Sequence, residues 1–343
     1  MALAPIWRDY TVTLDPGTAR TFVDFEIRTG GYNGTTIYAG RAHQRPGVTP
    51  ITARINDVCA DYISTALPNL GGFTSLDTAE TFYVVAFPAG VKTDIDSVTF
   101  YNDWSYDPDF NPNTMPLADP VRAALDPRQW LFFSVLPGPT DITAVLTFQD
   151  GTTASVVVPV IRTADFNADF NDDFSVDESD GGGGTAVIDL SPFSGLASVT
   201  IDGVTYQVLP DACSRFAVYY VNAYGGWDSL LLEGKASRRD DLTRHTYRHD
   251  YDNADLAARG TKDYAIEVSP AWTLNTGLLT DDESSRMHHL LNSVEVYLCE
   301  LATGRLYPVV LTDTETPHKR YADERRPVQY AFNATLARER FRR

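Results

Sequence analysis

The sequence predicts a mainly β protein made of several β-sandwich modules, a fold class supported by its acidic residues, its periodicity and its turn signals. Among the first 213 residues, 24 are Asp, three are Glu and one, Lys92, is a lysine. Asp favours turns, whereas Glu and Lys favour helices. Short segments of alternating apolar and polar residues are bounded by Gly, Pro, Asn or Asp, as is typical of strands.

The N-terminal part, residues 1–164, carries the first strand patterns. Strands are predicted at residues 22–27, 35–39, 82–87 and 97–101. A hairpin follows at residues 142–158, where Asp150 and Gly151 supply the positive φ of a tight turn. We expect this part to form a β-sandwich region, either as one module or as two that divide near residues 67–80.

Residues 103–127 are crowded with Pro, Asn, Asp and aromatic side chains, which indicates a long ordered loop. Trp104, Tyr106 and Phe110 in this loop are candidates for contact with a glycan or a protein partner, and a position in the core is the alternative. Three further aromatic residues lie in strand-like sequence and are expected in the sandwich core: Trp130, Phe132 and Phe133.

An acidic segment that ends in four glycines, residues 165–184, is predicted to be a linker. Six of its side chains have the spacing of the ligands in an EF-hand-like calcium loop: Asp169, Asn171, Asp173, Ser175, Asp177 and Asp180. However, Phe174 replaces the glycine of the sharp turn, and Asp180 replaces the bidentate Glu. A solvated linker is therefore favoured over a calcium site, and no metal is assigned.

The C-terminal part, residues 185–343, is predicted to be a β-rich domain. Strand patterns occur at residues 186–190, 198–201, 204–209, 216–221, 229–234, 243–251, 294–299, 306–311 and 328–336. The pair Asp202 and Gly203 predicts a second tight hairpin turn.

A single strong helix signal occurs late in the chain. Thr280 and Glu283 have the spacing of a capping box, in which each side chain bonds the backbone of the other residue. Apolar residues then recur at helical spacing from Met287 to Leu291, and Asn292 is expected to end the helix.

The formal net charge of −18 arises from 46 acidic and 28 basic residues, and it is unevenly distributed. Residues 1–213 hold 27 acidic and 10 basic side chains, which leaves 19 and 18 for residues 214–343. This balance argues against nucleic acid and anionic membrane surfaces as partners. No apolar run approaches the roughly 18 residues of a membrane span, so membrane insertion is not expected. We expect synthesis in the cytoplasm, unless a signal segment precedes this numbering.

No residue pattern identifies an enzyme or a cofactor site. The sequence has no G-x-S-x-G motif, no phosphate-binding glycine loop and no H-E-x-x-H motif. Five of the six histidines lie in the last hundred residues, but their spacing does not suit a shared metal ion. Cys59, Cys213 and Cys299 are far apart and are expected to be buried thiols. A non-enzymatic protein without a cofactor is therefore favoured.

Six sequence blocks resemble a family of uncharacterised proteins encoded by tailed phages and prophages of gut Bacteroidales. The blocks span nearly the whole chain: IWRDY at 6–10, IYAGRA at 37–42, INDVCADY at 55–62, YNDWSY at 101–106, YVNAYGGWDSLLLEG at 220–234 and GLLTDDESSRMHHLLNS at 277–293. The resemblance implies a structural protein of the virion tail. From about residue 214, the order of strands and helix is similar to the phage tail-tube fold, in which a β-sandwich with one helix assembles into a ring.

This resemblance implies a distal-tail, baseplate or tail-tip component that forms a ring homo-oligomer and binds other phage tail proteins. We expect residues 328–336 to pair or pack across subunits. Six arginines are expected to meet acidic faces of adjacent copies: Arg238, Arg239, Arg244, Arg248, Arg325 and Arg326. The alternatives are a host-recognition module that binds a surface glycan and a decoration protein of the neck or capsid.

Overall fold

The protein is mainly β, as the sequence predicts, and its several sheets are consistent with a multi-domain β-sandwich-like architecture. The computed structural model describes residues 2–15, 21–44, 50–63, 73–75, 79–105, 107, 109–112, 114–118, 124–136, 141–159, 184–209, 215–248, 261–313, 328–337 and 340–342. No helix in these ranges is long and apolar enough to cross a membrane.

The elements are numbered in chain order. The strands before residue 160 are β1 (Ala2–Pro5), β2 (Thr11–Leu14), β3 (Phe22–Thr29), β4 (Thr35–His43), β5 (Ile51–Arg54), β6 (Phe73–Ser75), β7 (Ala79–Phe87), β8 (Thr93–Tyr101), β9 (Trp130–Val135), β10 (Asp141–Phe148) and β11 (Thr153–Pro159). The later strands are β12 (Gly184–Asp189), β13 (Leu196–Ile201), β14 (Val204–Gln207), β15 (Phe216–Val221), β16 (Trp227–Leu232), β17 (Ser237–Arg248), β18 (Thr261–Asn275), β19 (Val296–Glu300), β20 (Arg305–Leu311), β21 (Ala331–Leu336) and β22 (Arg340–Arg342). The helices are α1 (Asn56–Ala60) and α2 (Asp281–Leu291).

Backbone contacts divide the chain into two compact units. The first unit comprises Met1–Pro120, Trp130–Thr205 and Val221–Asp228, and the second comprises Val121–Gln129, Tyr206–Tyr220 and Ser229–Arg343. Both units therefore contain segments that are distant in sequence.

This division differs from the predicted domains. Strands β12 and β13, which follow the predicted linker, pair with β9 and β10, which precede it. The division of the chain therefore does not fall at residues 165–184, because hydrogen bonds join the strands on both sides. A split near residues 67–80 is likewise not supported, since β3 pairs with β7.

A five-stranded sheet organises the core of the first unit. Its order is β1-β8-β7-β3-β4, with β1 parallel to β8 and the other neighbours antiparallel. Along β3 the side chains of Val23, Phe25 and Ile27 are buried and alternate with less buried neighbours. This period of two places one face of the strand against the core, which also includes Phe82 and Phe100.

Three smaller sheets contain the other described strands of the first unit, and one of them is the antiparallel pair of β2 and β5. Of the remaining two, one has the order β11-β10-β13-β14, and the other has the order β6-β12-β9. The predicted turn at Asp150 and Gly151 is confirmed, because β10 and β11 form an antiparallel hairpin and Gly151 has a φ of +83°. The second turn is also confirmed, with φ of +47° at Asp202 and +76° at Gly203.

The second unit is built on an eight-stranded sheet. Its order is β16-β15-β19-β20-β21-β18-β17, and β22 pairs with β18 beside β21. The helix α2 buries Met287 and Leu290 in a cluster that contains Leu298 and Phe332 of the sheet. Because these side chains lie at helical spacing, the apolar face that the sequence predicts is the face that packs.

The capping box of α2 is confirmed in both directions. The Glu283 backbone N–H donates to Thr280 Oγ1 at 3.2 Å, and the Thr280 backbone N–H donates to Glu283 Oε2 at 2.9 Å. Asn292 ends the helix as expected.

The predicted strand at residues 328–336 needs correction. Val328 forms only an isolated bridge with Leu279, so the predicted strand over residues 328–336 begins at Ala331. This strand, β21, is hydrogen-bonded to β20 on one side and to β18 on the other. Pairing of this strand with another subunit is therefore wrong, because both of its backbone edges are occupied within its own sheet.

Burial of the cysteines is confirmed at two positions. Cys59 and Cys299 are free and buried, and burial raises the pKa of the Cys59 thiol to about 12. A thiol held protonated in this way is a poor nucleophile, which fits a packing role. Cys213 lies outside the described residues.

Candidate assembly surface

The longest pair of strands in the described part of the chain forms a ribbon, defined here as residues 237–248 of β17 and residues 261–273 of β18. Its register runs from Ser237 opposite Thr273 to Arg248 opposite Thr261. At about 3.3 Å per residue, the twelve residues of β17 extend for about 40 Å. The sequence predicts a strand beyond Thr243 but not β18, although Tyr264, Ile266 and Val268 alternate as a strand requires.

The ribbon exposes most of its side chains. No residue of β17 is buried, and the large side chains of Leu242 and Tyr264 are 55% and 61% exposed. On its other side β18 pairs with β22 at residues 266–268 and with β21 at residues 271–275, so the longest stretch of the ribbon without a third described strand is its far end, residues 245–248 with 261–265. An isolated two-stranded hairpin is marginally stable in water. A partner that covers the ribbon would remove its apolar side chains from water and would hold it in place.

Each face of the ribbon mixes charge with apolar area. Residues 238, 240, 242 and 244 lie on one face, opposite residues 272, 270, 268 and 266 of β18. On this face Leu242 lies opposite Val268, and the Arg238 guanidinium lies 5.6 Å from the centre of the Trp272 ring. The other face carries Thr243 opposite Glu267.

Three of the predicted interface arginines already have acidic partners in their own chain. Arg238 lies 3.4 Å from Asp240, Arg239 lies 3.2 Å from Asp241, and Arg244 lies 2.9 Å from Asp263. These pairs are exposed, and such pairs contribute at most about 1 kcal/mol each. The arginines are thus held only weakly and can exchange an acidic partner for one on another molecule.

Of the other three predicted interface arginines, the structure describes one. Arg248 is exposed at the end of β17. Arg325 and Arg326 lie outside the described residues. Of the six predicted residues, the structure therefore places four on one strand: Arg238, Arg239, Arg244 and Arg248.

An aromatic group lies at the far end of the ribbon. The register shifts between His245 and Thr246, and this irregularity leaves Tyr264 without an opposite residue. The Tyr264 ring lies 5.8 Å from the ring of His245 and 6.4 Å from the ring of Tyr247. His245 Nε2 also lies 2.8 Å from Glu267 Oε1, so this end combines rings, a titratable imidazole and a carboxylate.

The loop at residues 103–127 contains the residues that the sequence predicts to contact a glycan or a protein partner. Two of these residues, Trp104 and Phe110, contact residues 223 and 224 of the first unit. The Trp104 backbone N–H donates to the Ala223 carbonyl at 2.8 Å, and the Phe110 ring lies 4.7 Å from the Tyr224 ring. Both Trp104 and Phe110 are half-buried. This packing favours a structural role for Phe110 over the predicted exposed contact, whereas Tyr106 lies outside the described residues.

The core role of the neighbouring aromatic strand is confirmed in part. Phe132 and Phe133 on β9 are 3% and 1% exposed, whereas Trp130 is half-buried. Phe132 lies 6.2 Å from the Trp227 ring, so it packs in the same aromatic core as that side chain.

Within the described ranges, no group of three or more His, Cys, Asp or Glu side chains could hold a metal ion. The six candidate calcium ligands, Asp169, Asn171, Asp173, Ser175, Asp177 and Asp180, all lie outside those ranges. His249 and His318 also lie outside them, whereas His288 and His289 occupy the last turn of α2.

No protein-family model matches this chain, and no curated protein matches it significantly.

Proposed function

We propose that the protein is a non-enzymatic structural component of a phage tail, most suited to a distal-tail, baseplate or tail-tip ring. In this proposal it is made in the host cytoplasm, assembles with copies of itself and with other tail proteins, and resides in the virion tail. The exposed ribbon of the second unit is the observation that carries the proposal. The six sequence blocks that resemble uncharacterised proteins of tailed phages and prophages support the choice of particle.

The ribbon would act as the arm that one subunit lays on its neighbour. A neighbouring surface that covers Leu242 and Tyr264 would supply the burial that the ribbon lacks in the single chain. Apolar area would then provide affinity, whereas charged side chains around it would set register and orientation.

Charge supports acidic surfaces as the targets of the ribbon. The ribbon carries five basic residues, Arg238, Arg239, Arg244, Arg248 and Lys262, and four acidic ones, Asp240, Asp241, Asp263 and Glu267, whereas residues 1–213 hold 27 acidic and 10 basic side chains. A nearly balanced arm in a strongly acidic protein can approach a second copy with little repulsion. Its weakly paired arginines can then bind carboxylates of the neighbour.

Native mass spectrometry and negative-stain imaging of the full chain test this proposal. We expect a ring or a defined oligomer in the unmutated protein, and we expect Leu242→Asp to weaken its assembly by about tenfold or more because a charge enters the covered surface. Val310→Asp is a matched control, since Val310 lies on β20 of the same sheet and is also 55% exposed.

Two results would contradict the proposal. One is a protein that stays monomeric at high concentration and binds no other tail protein. The other is equal assembly of Leu242→Asp and Val310→Asp, which would place any contact away from the ribbon.

A further inference from the structure

The strand β11 is an edge strand of the sheet β11-β10-β13-β14 among the residues that the structure describes. Among the described strands it is hydrogen-bonded only to β10, with which it pairs from Thr153 to Pro159 without a register shift. Its outer backbone N–H and C=O groups therefore present a straight row of donors and acceptors, which is a template for another strand.

The other described sheet edges carry features that discourage pairing. The edge strands β1, β2, β5, β6 and β14 have only three or four residues each. The edge strand β4 carries Arg41 and His43 and has an irregular register where it faces Ile27 and Arg28 of β3, and β17 carries arginines and aspartates. The edge strands β9 and β16 are largely buried. Short strands, charges, prolines, irregularities and cover are the usual protections of an edge. Among the described residues, β11 shows only Pro159 at its end and a buried Val158, and residues 153–157 carry no charge.

The side chains of β11 are uncharged on both faces. Between Thr153 and Val158 the sequence is Thr-Ala-Ser-Val-Val-Val, with exposed residues at 153–155 and with Val157 57% exposed. The same face continues across the sheet with five uncharged residues, Thr143, Val145 and Thr147 on β10 and Ser198 and Thr200 on β13, whereas Asp141, opposite Pro159 at the end of the hairpin, is charged. A neutral patch of this kind contrasts with the net charge of −18 of the whole chain.

We propose that β11 pairs antiparallel with β11 of a second copy and joins two four-stranded sheets into one sheet of eight strands. The partner is a second copy because two strongly acidic molecules repel each other except where their facing surfaces carry no charge. Antiparallel pairing about a two-fold axis sets Thr, Ser and Val against the same residue types, so the edge is complementary to itself.

This contact is separate from the ribbon and does not rest on the proposed tail function. It lies on residues of the first unit, whereas the ribbon belongs to the second. A protein that assembles by both contacts would form pairs through β11 and larger assemblies through the ribbon.

Sedimentation velocity of the full chain over a concentration series tests the pairing. Val157→Lys places a charge at the exposed edge, and we expect it to raise the dimer dissociation constant by about tenfold or more, since a charged lysine on an edge strand discourages pairing with another strand. Gln207→Lys adds the same charge at an exposed position of β14, the opposite edge strand of the same sheet, and is expected to leave dimerisation unchanged.

A second measurement locates the contact without relying on loss of binding. Spin labels on Ser155→Cys chains are expected to lie within about 20 Å of each other in the dimer, because paired strands are separated by about 5 Å. The unmutated chain, treated with the same label, controls for the native cysteines.

The proposal is overturned if the unmutated chain does not dimerise, or if Val157→Lys and Gln207→Lys dimerise equally. It is also overturned if the Ser155→Cys labels are far apart in the dimer. Dimerisation that is lost in Leu242→Asp and retained in Val157→Lys would assign the contact to the ribbon instead, whereas the opposite result would support β11 and leave the tail proposal to its own test.

Discussion

At the scale of single residues, Asn222 organises the turn between β15 and β16. Its side-chain amide donates to the Leu117 carbonyl at 3.1 Å, and its side-chain oxygen accepts from the backbone N–H groups of Tyr224 and Gly226 at 2.9 Å and 3.1 Å. Asn222 is fully buried, so each of these bonds satisfies a polar group that water cannot reach.

Gly226 makes the same turn possible by leaving space for a carbonyl group. A Cβ atom at this position would overlap the carbonyl oxygen of Leu117, which is backbone and cannot rotate away. We therefore expect Gly226→Ala to lower the free energy of unfolding by more than about 3 kcal/mol, or to prevent folding. Urea unfolding followed by circular dichroism measures the change.

Gly203→Ala is the control for this prediction. Gly203 has a φ of +76°, and a Cβ atom added there would have no other atom within 4 Å, so the substitution costs only backbone strain. The expected loss is about 1 kcal/mol. Equal losses for the two variants would mean that the contact with Leu117 does not constrain the turn.

Two of the three arginine–aspartate pairs of the ribbon join residues that are close in sequence. In a strand, residues i and i+2 lie on one face, so the spacing of Arg238 from Asp240 and of Arg239 from Asp241 already predicts pairing within the chain. The pair of Arg244 with Asp263 could not be predicted, because it depends on the register between two strands.

At the scale of elements, α2 depends on its N-terminal cap. We expect Thr280→Ala to lower the free energy of unfolding by about 1 kcal/mol, because the Glu283 backbone N–H loses its acceptor. Thr280→Ser keeps a hydroxyl at the same position and is expected to retain most of the stability. Chemical denaturation of the three proteins measures the differences, and equal stabilities of the Ala and Ser variants would contradict the cap assignment.

The elements that the sequence predicts well are those with local signals. The tight turns at Gly151 and Gly203 and the cap at Thr280 depend on neighbouring residues, and all three are confirmed. Strand order has no local signal, because pairs such as β10 with β13 and β1 with β8 join residues that are distant in sequence. The short helix α1 is not predicted because no side chain caps its start.

At the scale of the whole molecule, the uneven charge predicts two different responses to salt. In the proposed ring, assembly through the ribbon would be strengthened by attraction between arginines and acidic surfaces, and salt would screen that attraction. The proposed pairing through β11 would join neutral edges of molecules that repel each other at long range, and salt would screen that repulsion instead.

We therefore expect the Val157→Lys chain, in which the ribbon contact remains, to assemble less as sodium chloride rises from about 0.05 M to about 1 M. Sedimentation velocity at each salt concentration measures the change. Arg238→Glu combined with Arg239→Glu in the same background is the control, and it should weaken the response to salt. Assembly of the Val157→Lys chain that strengthens with salt would contradict an electrostatic role for the ribbon.

Because β12 pairs with β9 and β13 pairs with β10, the segment between Pro159 and Gly184 connects strands of the same unit. This segment is therefore not a boundary between the two compact units. For a flexible connection whose two ends are held, the free energy of closure grows only with the logarithm of length, by about 0.6 kcal/mol for each doubling. The acidic repeat is therefore a place where the protein can gain or lose residues in evolution while its strands keep their partners.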